Sequence, residues 1–218
     1  MLDSAEQRSQ HPVVGQDTAM TTKASDGISR ADAAFGRRLA AAEDLVGHAP
    51  DIVSAAFAMA ERFHRGGKLV TFGVGLASTD AQHVAVEFVH PVIVGKRALP
   101  AIALTSDVAT VTAIAVADGL SEIFARQIEK LTKPGDIALG ISVTGDPCVP
   151  AGLRAATSAG LLTIALTGRD AQLAADHVLA VRSADPRVIK EIQVSIYHLL
   201  WELVHVFLEQ PAVFEGMA

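Results

Sequence analysis

Only one cysteine, Cys148, occurs in 218 residues, so no disulfide can form within the chain, and a reducing compartment suits it. Aromatic residues are few, with a single Tyr and a single Trp, which argues against the stacking platforms that hold single-stranded nucleic acid. Positive charge is also scarce. The net charge is -6 and the isoelectric point about 5.7, and the cations are scattered rather than gathered into a stripe that would neutralise a phosphate backbone. Nucleic acid is therefore not expected as a direct ligand. No uninterrupted apolar run reaches the roughly 18 residues a membrane helix needs. The opening residues, MLDSAEQRSQHPVVGQDT, lack the apolar centre of a secretion signal. A cytoplasmic protein without membrane contact is the expectation.

What is present is apolar material: half of the chain is hydrophobic, enough for one sizeable α/β core and short for two. Residues 1–27 are polar and without period and read as a flexible tail, leaving a single domain over residues 28–210. A helix is expected from Ile28 to Val46, closed by Gly47. A second opens at Pro50, with Ile52, Ala56, Met59 and Phe63 on one core-facing stripe and His64 as its C-terminal capping residue.

The most informative stretch is VTFGVGLASTDAQHVAVEF, residues 70–88. An apolar strand runs into a turn with Gly73 and Gly75 and then a helix. Glycines let backbone amides approach an anion, and a helix N-terminus favours negative charge. Thr79 and Gln82 stand at capping-box spacing and predict a helix start there. His83 and Glu87, four apart, share one face of that helix, where the pair can do acid/base work or hold a metal.

Further on, the pattern predicts a short buried strand at Ala101–Leu104 followed by Thr105, Ser106 and Asp107, then helices at Val108–Ala117 and Ser121–Leu131. After Lys133-Pro134-Gly135-Asp136 comes a strand, Asp136–Ser142, which runs into the turn Ser142-Val143-Thr144-Gly145-Asp146. Asp146 and Pro147 suit the start of a helix that reaches Gly160, with Cys148 as a buried small residue in its first turn. Strands at Leu161–Leu166 and His177–Val181 and a final helix from Asp185 and Pro186 to about Glu209 complete the order. Trp201 and His205 on that helix read as interface packing. Strands alternating with helices mean a parallel sheet covered on both faces. Ligands bind at the carboxyl ends of such strands, so the turns near Gly73, Asp107 and Ser142 are expected to converge on one crevice.

The stretches DAQH (Asp80 to His83) with Glu87, LPAIALTSD (Leu99 to Asp107), FARQIEKL with PGD (Phe124 to Asp136) and TIALTGRD (Thr163 to Asp170) resemble the sugar isomerase (SIS) domain family, and within it the phosphoheptose isomerases. The resemblance covers roughly residues 33–209. It implies a flavodoxin-like three-layer αβα sandwich with a five-stranded parallel sheet and extra helices at each end, assembled as a homotetramer with active sites at subunit interfaces. The activity it implies is aldose–ketose isomerisation of a sugar phosphate such as sedoheptulose 7-phosphate. Glu87 would move the proton between C1 and C2, and His198, contributed across the interface, would be the partner acid. Gly75, Ser78, Ser106, Asp107, Ser142, Val143, Thr144 and Lys190 fall at substrate-binding positions.

Some members of the family bind zinc, and the matching ligands are His83, Glu87 and His198. The fourth, a glutamine in the family, is Lys190 here, which has no lone pair while protonated and counts against zinc; its charge could instead stabilise an enediolate. The phosphate turns depart as well: the first reads Gly73-Val74-Gly75-Leu76-Ala77, without the family's Asn and Ser, and the second carries Asp146 and Pro147. Three readings stay open on the sequence: a sugar-phosphate isomerase, a non-catalytic SIS-domain adaptor or regulator, and an isomerase of a less charged sugar.

Overall fold

The computed structural model describes residues 14–143, 145–169 and 173–214, and the chain divides into two compact units, residues 1–40 and 41–218. Residues 14–40 belong to one long helix, α1 (Val14–Val46). The helix start expected at Ile28 is thereby corrected, and so is the tail over residues 14–27. A single interior glycine costs a helix only about 1 kcal/mol, so Gly27 does not stop it. Residues 1–13 of the expected tail lie outside the described residues.

In the second unit the elements follow as α2 (Ala49–His64), β1 (Leu69–Gly73), α3 (Leu76–Val89), β2 (Ala101–Ala103), α4 (Val108–Ala117), α5 (Ala125–Leu131), β3 (Ile137–Ile141), α6 (Cys148–Ser158), β4 (Leu162–Gly168), β5 (His177–Val181) and α7 (Pro186–Leu208). The strands form one parallel sheet in the order β2-β1-β3-β4-β5. This is the doubly wound order, whose direction reverses between β1 and β3.

Strand residues alternate between two cores, as a period of two requires. Leu69, Ile137, Leu139, Ile164 and Leu166 face α2, α3 and α7, whereas Val70, Phe72, Ala138 and Ala165 face α5 and α6. The result is the three-layer αβα sandwich expected from the sequence. The stripe of α2 is buried as its spacing predicts, with Met59 and Ala56 fully covered. Its C-cap is Arg65 rather than His64, whose ring stacks on Phe214 at 4.8 Å.

Local differences have local causes. The Ser121–Leu131 helix is broken into a 3-10 turn at Leu120–Glu122 and the short α5, because Ile123 and Phe124 are drawn into the core. Strand β2 is not buried throughout. It is an edge strand of three residues, and Ile102 is 44% exposed. At the opposite end of the sheet from the ligand turns, Asp136 is fully buried. It accepts from the Lys68 amide and ammonium and from the Lys133 amide, clamping the start of β1 to that of β3.

Candidate active site

Strand β1 leads into α3 through a turn that only glycine allows. A Cβ on Gly73 would lie 2.8 Å from the Ile141 carbonyl oxygen, and Gly75 has φ +59°, a backbone conformation costly for other residues. The helix starts directly behind it at Leu76, with Gly75 as its N-cap. The predicted capping box at Thr79 and Gln82 is therefore corrected. The Thr79 hydroxyl donates to the Leu76 carbonyl at 2.8 Å and that of Ser78 to Gly75 at 2.6 Å, both already inside the first helical turn.

One turn further, His83 Nε2 meets Glu87 Oε1 at 3.2 Å, the i,i+4 pairing read from the sequence. Helix α7 crosses α3 and adds the third group: the rings of His83 and His198 are 5.2 Å apart. One donor atom from each of His83, Glu87 and His198 lies within 4.8 Å of the others. His198 was expected from a neighbouring subunit, but this chain supplies it itself. Two hydrogen bonds between the helices explain the approach. Tyr197 Oη lies 2.8 Å from His83 Nδ1, and Trp201 Nε1 donates to the Glu87 carbonyl at 2.8 Å. Trp201 and His205 are accordingly buried within the chain, not interface packing.

The Tyr197 contact has a chemical consequence. Burial first, then the charges of Asp80 and Glu87, push the phenol well above its ordinary range, so it keeps its proton and can either donate to His83 Nδ1 or accept from it. When it donates, a neutral His83 ring carries its hydrogen on Nε2, toward Glu87; when it accepts, Nδ1 carries the hydrogen and the Nε2 lone pair is left for a metal. The cluster opens on a cavity of about 690 Å³ lined by His83, Glu87, Val92, Ile93, Lys96, His198, Trp201, Glu202 and Val206.

Two imidazoles and one carboxylate at this spacing are a suitable donor set for zinc with one coordination position left open. Lys190, at the place of the expected fourth ligand, bonds elsewhere. Its ammonium pairs with Asp80 and donates to the Leu76 carbonyl at 3.1 Å. The donors present thus fit a three-residue site, not a closed four-residue one.

Lys190 lines a second cavity, of about 570 Å³, together with Val74, Gly75, Leu76, Ala77, Val143, Asp146, Pro186, Arg187, Glu191 and Val194. The turns after β1 and β3 meet here, as predicted, because the two strands are neighbours. The third turn does not line it, since β2 lies on the far side of β1. Asp107 is the N-cap of α4, taking the Thr110 amide at 3.1 Å and its hydroxyl at 2.6 Å. Those bonds hold its carboxyl below the usual range. Ser106 is exposed beside it. The Ser142 hydroxyl donates to Asp146 Oδ2 at 2.9 Å, and Thr144 lies outside the described residues. The sequence had assigned no role to Asp80 or Tyr197, although Asp80 precedes His83 in one motif and Tyr197 adjoins His198.

A doubly wound sheet with two ligand turns at its switch point and a His–Glu–His cluster on the adjoining helices defines a protein that binds and transforms a small polar molecule. The SIS domain family matches residues 34–168, and the chain belongs to that family. Relatives called phosphoheptose isomerase are 42% identical in Roseiflexus sp., over 72% of this chain and 81% of the relative, and 40% in Solidesulfovibrio magneticus, over 74% and 80%. The solved phosphoheptose isomerase of Francisella tularensis superposes with a TM-score of 0.77 at 30% identity, over 82% of this chain and 98% of that one. The Neisseria gonorrhoeae enzyme gives 0.74 at 30% identity, over 81% and 97%.

Proposed function

We propose that the chain is an aldose–ketose isomerase of the phosphoheptose isomerase type, with the sugar's carbonyl end in the cavity of Glu87 and His198. The observation that carries this reading is the meeting of His83, Glu87 and His198 within 4.8 Å at a cavity of sugar size. Glu87 takes the proton from the carbon next to the carbonyl and returns it to the neighbouring carbon. His198 moves the other proton between the two substrate oxygens, so that no atom is gained or lost. His83, fixed by Tyr197, holds the Glu87 carboxylate in place. Zinc, if bound through His83, Glu87 and His198, would supply Lewis-acid polarisation of the carbonyl.

Activity is tested with sedoheptulose 7-phosphate and with sedoheptulose, each with zinc and with chelator, beside Glu87→Gln and His198→Gln. The expected outcome is turnover of at least one sugar that falls about a hundredfold or more in each variant. Wild-type activity untouched by both substitutions, or none with either sugar in either metal state, overturns the reading. The second outcome would favour the adaptor role, for which the departure of the turn after β3 from the family's pattern, with Asp146 and Pro147, speaks. The working form is taken to be a cytoplasmic homotetramer. Exposed Val86, Val89, Val92, Ile93 and Val94 support a covered face beside the cluster, and light scattering coupled to size exclusion checks it.

A further inference from the structure

Helices α3 and α7 are joined by three polar rungs that follow one another in the same order along both. The second and third are the Tyr197–His83 and Trp201–Glu87 hydrogen bonds. The first is made by Lys190. Its ammonium reaches the opening turn of α3, where it pairs with the Asp80 carboxylate, donates to the Leu76 carbonyl at 3.1 Å and lies 3.4 Å from the Thr79 hydroxyl. Three acceptors thus meet the three hydrogens of the ammonium. Lys190, Tyr197 and Trp201 are seven and four residues apart, and Asp80, His83 and Glu87 three and four, so each set occupies one helix face.

The first rung differs from the others in kind, because it joins two opposite charges. The Asp80 side chain is only 7% exposed and that of Lys190 28%. A carboxylate so deeply placed has lost most of its water, and a partner's charge has to replace it. The pair also sits next to the cluster: Asp80 is one helical turn before His83, and its charge is felt at Tyr197. Lys190 stands where the resemblance places a metal ligand, yet its donors are directed at the opening turn of α3. A link between the two helices is therefore present without a metal to bridge them.

We propose that Lys190 is a positioning residue for the reaction: its ammonium, locked on Asp80, fixes α7 against α3 and so holds Tyr197 and His198 in place against His83 and Glu87. The effect on turnover rests on the isomerase reading above; the effect on the contact between the helices does not.

Tyr197 and Trp201 are the only tyrosine and tryptophan of the chain, so their near-ultraviolet circular dichroism bands report the second and third rungs separately. Spectra are recorded for the wild type, Lys190→Met, Asp80→Asn and the double variant, with chelator present so that no metal holds the helices instead. Far-ultraviolet melts confirm folding. The double variant buries no unpaired charge and keeps the test open if a single replacement fails to fold. The Tyr197 band is expected to fall by about half or more in each variant, further than the Trp201 band, and no further in the double variant than in the more affected single one. An unchanged Tyr197 band in folded variants, or losses that add in the double variant, overturn the proposal. Gly152→Ala strains the core on the other face of the sheet and is the control for general loosening; an equal fall of the Tyr197 band there also overturns it. With sedoheptulose 7-phosphate, Lys190→Met is expected to lower kcat about tenfold or more and to change KM by less than about threefold. An unchanged kcat, or a change confined to KM, overturns the positioning role. Absence of turnover by the wild type sinks the isomerase reading instead, while the Tyr197 band still judges the link.

Discussion

Tyr197 shows how much one hydroxyl can decide. Its hydrogen bond with His83 Nδ1 holds the ring in one orientation, with Nε2 toward Glu87. Removing an outer partner of this kind typically costs ten- to a hundredfold in activity. Tyr197→Phe is therefore expected to lower kcat by about tenfold with KM little changed, while the melting midpoint hardly moves. Steady-state kinetics beside a thermal melt check this, and an unchanged kcat would remove Tyr197 from the site. Cys148 lies at the other extreme. Burial, reinforced by the nearby Asp146, pushes its thiol up, and the side chain sits in the buried core cluster behind α6, the packing position its sequence context suggested.

Among the elements, α6 makes the tightest demand on its neighbours. A Cβ at Gly152 would come within 2.7 Å of the Phe72 ring and 3.1 Å of Phe124 Cβ. Alanine gains roughly 1 kcal/mol in helix propensity, but overpacking a core costs about 1–3 kcal/mol. The second effect should win, and Gly152→Ala is expected to lower the melting midpoint by a few degrees. Calorimetry decides the sign. The elements were largely legible in the sequence: Pro50, Pro134 and Pro186 mark boundaries, and strand β5 and helix α4 have the predicted limits. What escaped depends on contacts that no local pattern encodes. The start of α3 is set by the positive φ of Gly75, not by the Thr79 hydroxyl, and the break before α5 by the core's claim on Phe124. The meeting of His83 with His198 and Tyr197 spans more than a hundred residues of chain. Only the resemblance, not the spacing, pointed to His198.

At the scale of the molecule, the Asp136 clamp links stability to pH. Burial alone would raise its carboxyl pKa, but the bonds from Lys68 and Lys133 outweigh it and hold the folded value below the ordinary one. A carboxyl depressed in the folded state stabilises above its unfolded value of about 3.9 and loses that contribution as pH falls through the folded value. Asp136→Asn is expected to cost about 2 kcal/mol at pH 7, a moderate figure because the Lys68 ammonium is partly exposed. The gap to wild type should close below about pH 4, as melts across pH would show; a gap constant with pH would rule out the ionic origin. The outer strand β2 bears on the chain's behaviour in crowded solution. It offers a newcomer only three residues, preceded by Pro100, which has no amide hydrogen. A stray segment seeking to extend the sheet on that side would find few bonding positions, a natural guard against runaway strand-to-strand aggregation.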